Sequence, residues 1–189
     1  MSFRYTRPDS FPPIVKNLII INALVWIAQK AVVNLTYGIA LWPIGHENFR
    51  PYQVATHMFA HSPDMIFHIL FNMFGLYMFG RVLENVWGPK RFLFFYLACG
   101  VGAAVVHLIV QYYMGTSSFA VGASGAVMGI FAAFAFLFPN TELYIMFIPI
   151  PVKAKWAVLG MAAYSIFGGV GSFAGDNVAH FAHLGGALT

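Results

Sequence analysis

Apolar residues run through six stretches of the chain, at 14–36, 62–80, 92–113, 124–138, 143–170 and from 178 onward, with polar and turn-forming residues collected between them. A helix that crosses a bilayer needs about 20 apolar residues. The first, third and fifth stretches meet that length most clearly. The fourth is short and ends at Pro139 and Asn140, and the sixth is cut off by the chain end at Thr189. The pattern predicts an all-α membrane protein: a short N-terminal arm over 1–13, then one six-transmembrane-helix domain over 14–189 with a truncated sixth span.

Composition agrees. The 189 residues are 60% hydrophobic and only 8% charged, about a third of the charged share of soluble domains. The first run is long for a signal peptide, contains Lys16, Asn17 and Asn22, and has no small-residue cleavage site after it, so it reads as a retained span. The single cysteine, Cys99, rules out an internal disulfide. The pI near 9.3 raises the question of nucleic acid, but the basic residues follow the loops. Arg4, Arg7, Lys16, Arg81, Lys90, Arg91, Lys153 and Lys155 lie on one side of the predicted spans, against Lys30 and Arg50 on the other. By the positive-inside rule both termini are cytoplasmic, the loops at 34–60, 114–123 and 171–177 face outward, and no nucleic-acid partner is expected. With no extra domain or targeting segment in view, a bacterial inner membrane is the expected location.

Polar groups inside a bilayer are costly and therefore functional candidates. His68 and Asn72 are four apart and share a helix face, either as glue between helices or as two donors aimed the same way. His57 and His61 have the spacing of two zinc ligands, but no HExxH pattern accompanies them, so a loop-anchoring role is preferred and no metal is expected. Ser124 follows Gly122 at the start of the fourth span, where the N–H groups and positive dipole end of a helix would favour a nucleophile and an oxyanion. Gly125 and Gly129 form a small-xxx-small face, and Gly185 and Gly186 offer a matching face on the sixth span. His180 and His183 precede those glycines, and either could serve as a general base. Arg81 and Glu84 read as an interfacial ion pair. Nucleophile, base and oxyanion donors together complete the parts of an acyl-transfer site.

Three motifs then resemble the rhomboid intramembrane serine proteases over about residues 57–186: HxxxN at His68–Asn72, GxSG at Gly122–Gly125 and AHxxG at Ala182–Gly186. The resemblance implies a rhomboid-like six-helix fold and a Ser–His dyad of Ser124 and His183. His183 is preferred over His180 because glycine follows three residues later. It also implies an oxyanion hole of the Ser124 N–H with His68 and Asn72, no cofactor, and transmembrane proteins as substrates. No third triad member is expected; Asp176 lies seven residues before His183. The chain departs from the family at Met128, where some members carry an aromatic residue against the base, and at Phe49–Arg50, which stands for a Trp–Arg pair in the first outer loop. The outer ends of spans 2, 4 and 6 are expected to enclose a water-filled cavity kept wet by His57, His61, Asn72 and Ser124. Span 5 and the 171–177 loop are the expected gate. The alternative is a non-catalytic relative that binds transmembrane helices. The sequence leaves the oligomeric state open.

Overall fold

The computed structural model describes residues 11–115, 117–144, 150–171 and 177–189. Most of the expected N-terminal arm lies outside them. Helix α1 (Pro13–Ala31) opens on a proline, whose missing N–H costs nothing in a first turn. It ends short of the expected residue 36 because Val32 is extended and Asn34 adopts a left-handed conformation; a short helix, α2 (Leu35–Ile39), follows. A four-residue helix, α3 (Gln53–Thr56), and a 3₁₀ turn at His57–Phe59 close the outer loop.

The second span differs more. Helix α4 (Ile66–Gly75) passes through a π turn at Leu76–Gly80 into α5 (Arg81–Trp87), seven residues beyond the expected end at 80. The charged residues that suggested a boundary are absorbed. Glu84 is 3% exposed and its two carboxylate oxygens accept the Ile14 N–H at 2.9 Å and the Val15 N–H at 2.8 Å. It thus satisfies two of the orphan donors at the start of α1 and neutralises that helix's positive end. The Arg81 guanidinium instead lies 5.1 Å over the Tyr77 ring and donates to its hydroxyl at 3.1 Å. The expected Arg81–Glu84 ion pair is therefore replaced by a cap and a cation–π contact.

Helix α6 (Pro89–Met114) starts after Gly88 and stops at Gly115, which takes the left-handed conformation of a helix end. Its buried side is a run of small residues, Cys99, Gly100, Ala103 and Ala104, flanked by Phe92, Tyr96 and Leu108. Helix α7 (Ser124–Leu137) is nearly encased. The fifth expected span, 143–170, begins later. Residues 142–143 and 152–153 pair as a two-residue antiparallel hairpin, and α8 (Ala154–Gly171) follows. Pro149 and Pro151 lack the N–H groups an earlier helix would need. Helix α9 (Asn177–Leu188) lies against α6, α7 and α8. Among the described residues, three helical stretches are long and apolar enough to cross a membrane: Pro13–Ala31, Ile66–Trp87 and Pro89–Met114. The main core forms where α1, α4–α5, α6 and α7 meet, around Val15, Leu76, Leu83, Phe92, Tyr96 and Ile130.

Glu84→Ala strands two buried N–H groups and is expected to cost roughly 1–3 kcal/mol, read as a lowered melting temperature in detergent. Arg81→Ala is expected to cost less than about 1 kcal/mol. Equal losses would contradict the cap.

Candidate active site

The site is built on a turn that only glycine adopts freely. Gly122 has φ +130°, a region that side chains avoid. Its N–H donates to the His57 carbonyl at 3.0 Å. Two residues earlier, Ala120 exchanges a pair of 2.9 Å backbone hydrogen bonds with Leu41 in the outer loop. The chain is thus held on both sides as it turns into α7, and Ser124 is the first helical residue. Its neighbours' N–H groups have no partner within the helix, which leaves donors and a positive dipole end beside the hydroxyl.

Helix α9 comes close because the facing positions lack side chains. A Cβ on Gly129 would lie 2.5 Å from the Gly186 carbonyl, and one on Gly186 would run into the Gly125 backbone. At this separation His183 Nε2 is 2.8 Å from Ser124 Oγ. His180 points elsewhere. Its ring meets Tyr164 edge-on at 5.2 Å, fills the notch at Gly168 of α8, and stands 6.4 Å from the His183 ring.

On the opposite side of Ser124, His68 projects from the first turn of α4. The Ser62 N–H reaches His68 Nδ1 at 3.3 Å. A backbone N–H can only donate, so Nδ1 is the acceptor and Nε2 carries the ring proton. Nε2 faces Gly122, where an added Cβ would lie 2.8 Å from it. Asn72 is buried and its Nδ2 donates to the His68 carbonyl at 2.7 Å; the second N–H of that amide is still available.

The family model for the Rhomboid domain matches residues 48–189. The chain belongs to the rhomboid family. Arabidopsis thaliana RHOMBOID-like protein 12, mitochondrial, is 34% identical over 193 residues, 92% of this chain and 55% of its own length. Human presenilin-associated rhomboid-like protein, mitochondrial, is 32% identical over 127 residues, 65% and 32% of the two chains. Rhomboid protein 1, mitochondrial, of Saccharomyces cerevisiae is 29% identical over 137 residues, 68% and 37%. The chain thus spans about half of the first of these relatives and about a third of the other two. The expectation of a bacterial inner membrane conflicts with these relatives, all described as mitochondrial. What holds is the coarser statement, a multi-pass membrane protein.

Two spaces adjoin Ser124 in this rhomboid. An inner cavity of about 40 Å³ lies between Ser124, Gly122, His57, His107 and His183, enough for a water molecule or two. A lateral cleft of about 420 Å³ opens between α4 and α8, lined by Met65, Phe67, Phe71 and Asn72 on one side and by Met161, Tyr164 and Ser165 on the other, with Ser124, Met128 and His183 at its base. Of the four residues expected to wet a cavity, His57 lines the inner space and Asn72 the cleft. His61 lines neither and lies behind His68, with ring centroids 5.1 Å apart. Of the expected gate, span 5 is α8, while residues 172–176 of the loop, Asp176 among them, lie outside the described residues. Arg50 stays in its own loop, donating to the Glu47 and Phe49 carbonyls. The loop is instead held by Gln53, which ties Gly38 and Asn48 to the Arg50 N–H, and by Trp42, stacked on His46 and packed against Phe119. Sequence reasoning missed Gln53; a glutamine one residue from an aromatic in an outer loop carries no distinctive spacing. Among the described residues no group of three or more His, Cys, Asp or Glu gathers where a metal could sit.

Burial pushes the His57 and His61 imidazoles down to about 4, the latter helped by His68. Both are neutral when folded and titrate near 6.5 when unfolded. Their contribution is complete above pH 6.5 and is lost as pH falls from 6.5 to 4, at roughly 1–3 kcal/mol per histidine. Unfolding in detergent across this range is expected to show that loss, and the His57→Gln, His61→Gln double variant to show a shallower profile. Identical slopes would contradict neutral burial.

Proposed function

We propose that this rhomboid is an intramembrane serine endopeptidase. The reading is carried by the 2.8 Å hydrogen bond between His183 Nε2 and Ser124 Oγ. In this reading the chain crosses the bilayer six times, with both termini on the basic, cytoplasmic side and the site near the outer face. Ser124 is the nucleophile and His183 the general base. The substrate is the upper part of another protein's transmembrane helix, which reaches the serine sideways through the apolar cleft between α4 and α8, with no cofactor required. Backbone opened at that depth needs polar surroundings, and the inner cavity beside Ser124 offers a store for hydrolytic water.

His183 Nε2 takes the Oγ proton as Oγ bonds to the scissile carbonyl carbon. The oxyanion receives hydrogen bonds from the Ser124 N–H, the His68 Nε2–H and the free Asn72 N–H. Collapse breaks the C–N bond, and His183 gives its proton to the leaving amine. Water, deprotonated by His183, then hydrolyses the acyl-enzyme. Gly122 permits the turn, and Gly125, Gly129 and Gly186 set the distance between the two reacting side chains. Met128 packs at the base of the cleft, where its thioether can rest against the imidazole. Non-catalytic binding of transmembrane helices is the second reading, and the same cleft would serve it.

With a transmembrane model substrate in liposomes, Ser124→Ala and His183→Ala are expected to lose at least about 10³-fold in cleavage rate. His180→Ala is expected to stay within about tenfold of wild type. Equal cleavage by wild type and Ser124→Ala would leave only the binding reading.

A further inference from the structure

The last turns of α1 reach the site through a chain of hydrogen bonds that the reaction sequence does not use. Gln29 is 6% exposed, near the end of α1. Its amide pairs with both peptide groups of His61: Oε1 accepts the His61 N–H at 3.0 Å and Nε2 donates to the His61 carbonyl at 2.9 Å. The second N–H of the same amide reaches Thr36 Oγ1 at 3.0 Å. Three hydrogen bonds follow from one side chain, because an amide offers two N–H donors and a carbonyl acceptor. Trp26, nearly one turn earlier on α1, donates its indole N–H to the Ser62 carbonyl at 3.1 Å. The two side chains therefore fix consecutive peptide units at residues 61 and 62. The N–H of Ser62 is the group that meets His68 Nδ1.

We infer that Gln29 is a positioning residue for the oxyanion: by fixing the 61–62 backbone it aims the Ser62 N–H at His68 Nδ1 and so keeps the His68 proton on Nε2, facing Gly122 and Ser124. The inference rests on the reading of His68 as an oxyanion donor. Trp26 holds the next carbonyl of the same segment, that of Ser62, and acts in the same direction. Without this grip Nδ1 loses its donor, the two tautomers of a neutral imidazole become comparable, and a fraction of the enzyme presents a lone pair where the oxyanion needs a proton. A side chain that only filled space would leave the tautomer alone.

The test uses the full chain in liposomes. Gln29→Met keeps the length and removes the amide; Trp26→Phe keeps an aromatic ring and removes the donor. In imidazole ¹⁵N spectra, wild type is expected to show His68 protonated at Nε2 alone, and Gln29→Met a mixture of both tautomers. In cleavage, Gln29→Met is expected to lower kcat roughly 10- to 100-fold with KM within about twofold, and Trp26→Phe to lower kcat by less. In a His68→Ala background the Gln29→Met change is expected to cost less than about twofold, since residues acting as a unit are not additive. An unchanged His68 tautomer in Gln29→Met, or the same rate loss in both backgrounds, overturns the inference and leaves Gln29 a structural tie. If Ser124→Ala cleaves like wild type the protease reading fails by itself, while the His68 spectrum still decides whether Gln29 sets the tautomer.

Discussion

The approach of α9 to α7 governs everything else at this site. Inside lipid, helices gain nothing from hiding apolar surface from water, so their association depends on close packing and hydrogen bonds. Gly129 and Gly186 remove the side chains that would hold these two backbones apart, and Gly125 does the same between α7 and Ala103 of α6. Helix α9 also packs against α6, where Gly185 faces Val106, so it is seated on two neighbours at once. The distance between His183 and Ser124 follows from that seating; no flexible loop has to deliver it.

The opposite wall of the site is held by different means. There the backbone is irregular, and each exposed peptide group must find a partner inside the protein. Besides backbone–backbone bonds, two glutamines supply several of them. Gln53 binds the outer loop to itself, and Gln29 binds the segment before α4 to the end of the first helix. Gly122 joins this wall to the serine through its hydrogen bond with the His57 carbonyl. The α4–α8 side is lined instead largely by methionine and aromatic side chains along the lateral cleft.

Helices within membranes are legible as runs and much less so as faces. The starts and ends of α6 and α7 were within a few residues of the apolar stretches because Gly88, Pro89, Gly115 and Pro139 punctuate them. The buried face of α6 was not legible: Phe94, Val105 and Ile109 face outward and are as apolar as the core, so no polar stripe marks the solvent side. Charge misled at the end of the second span, since Glu84 is buried as a cap for a helix seventy residues away in sequence. The motif residues around Ser124 were legible because a serine and histidines among apolar neighbours are costly there. Gln29 and Gln53 were not, since their partners are backbone groups with no sequence signature.

The most direct measurement is the rate at which a fluorophosphonate labels Ser124 in liposomes, compared between wild type and Gly186→Ala at matched helical content. One methyl group at Gly186 meets the backbone of Gly125 and pushes α9 away. The account predicts that wild type is labelled at Ser124 and that Gly186→Ala is labelled at least about tenfold more slowly. Labelling of Gly186→Ala at the wild-type rate would contradict the claim that the glycine contact activates the serine.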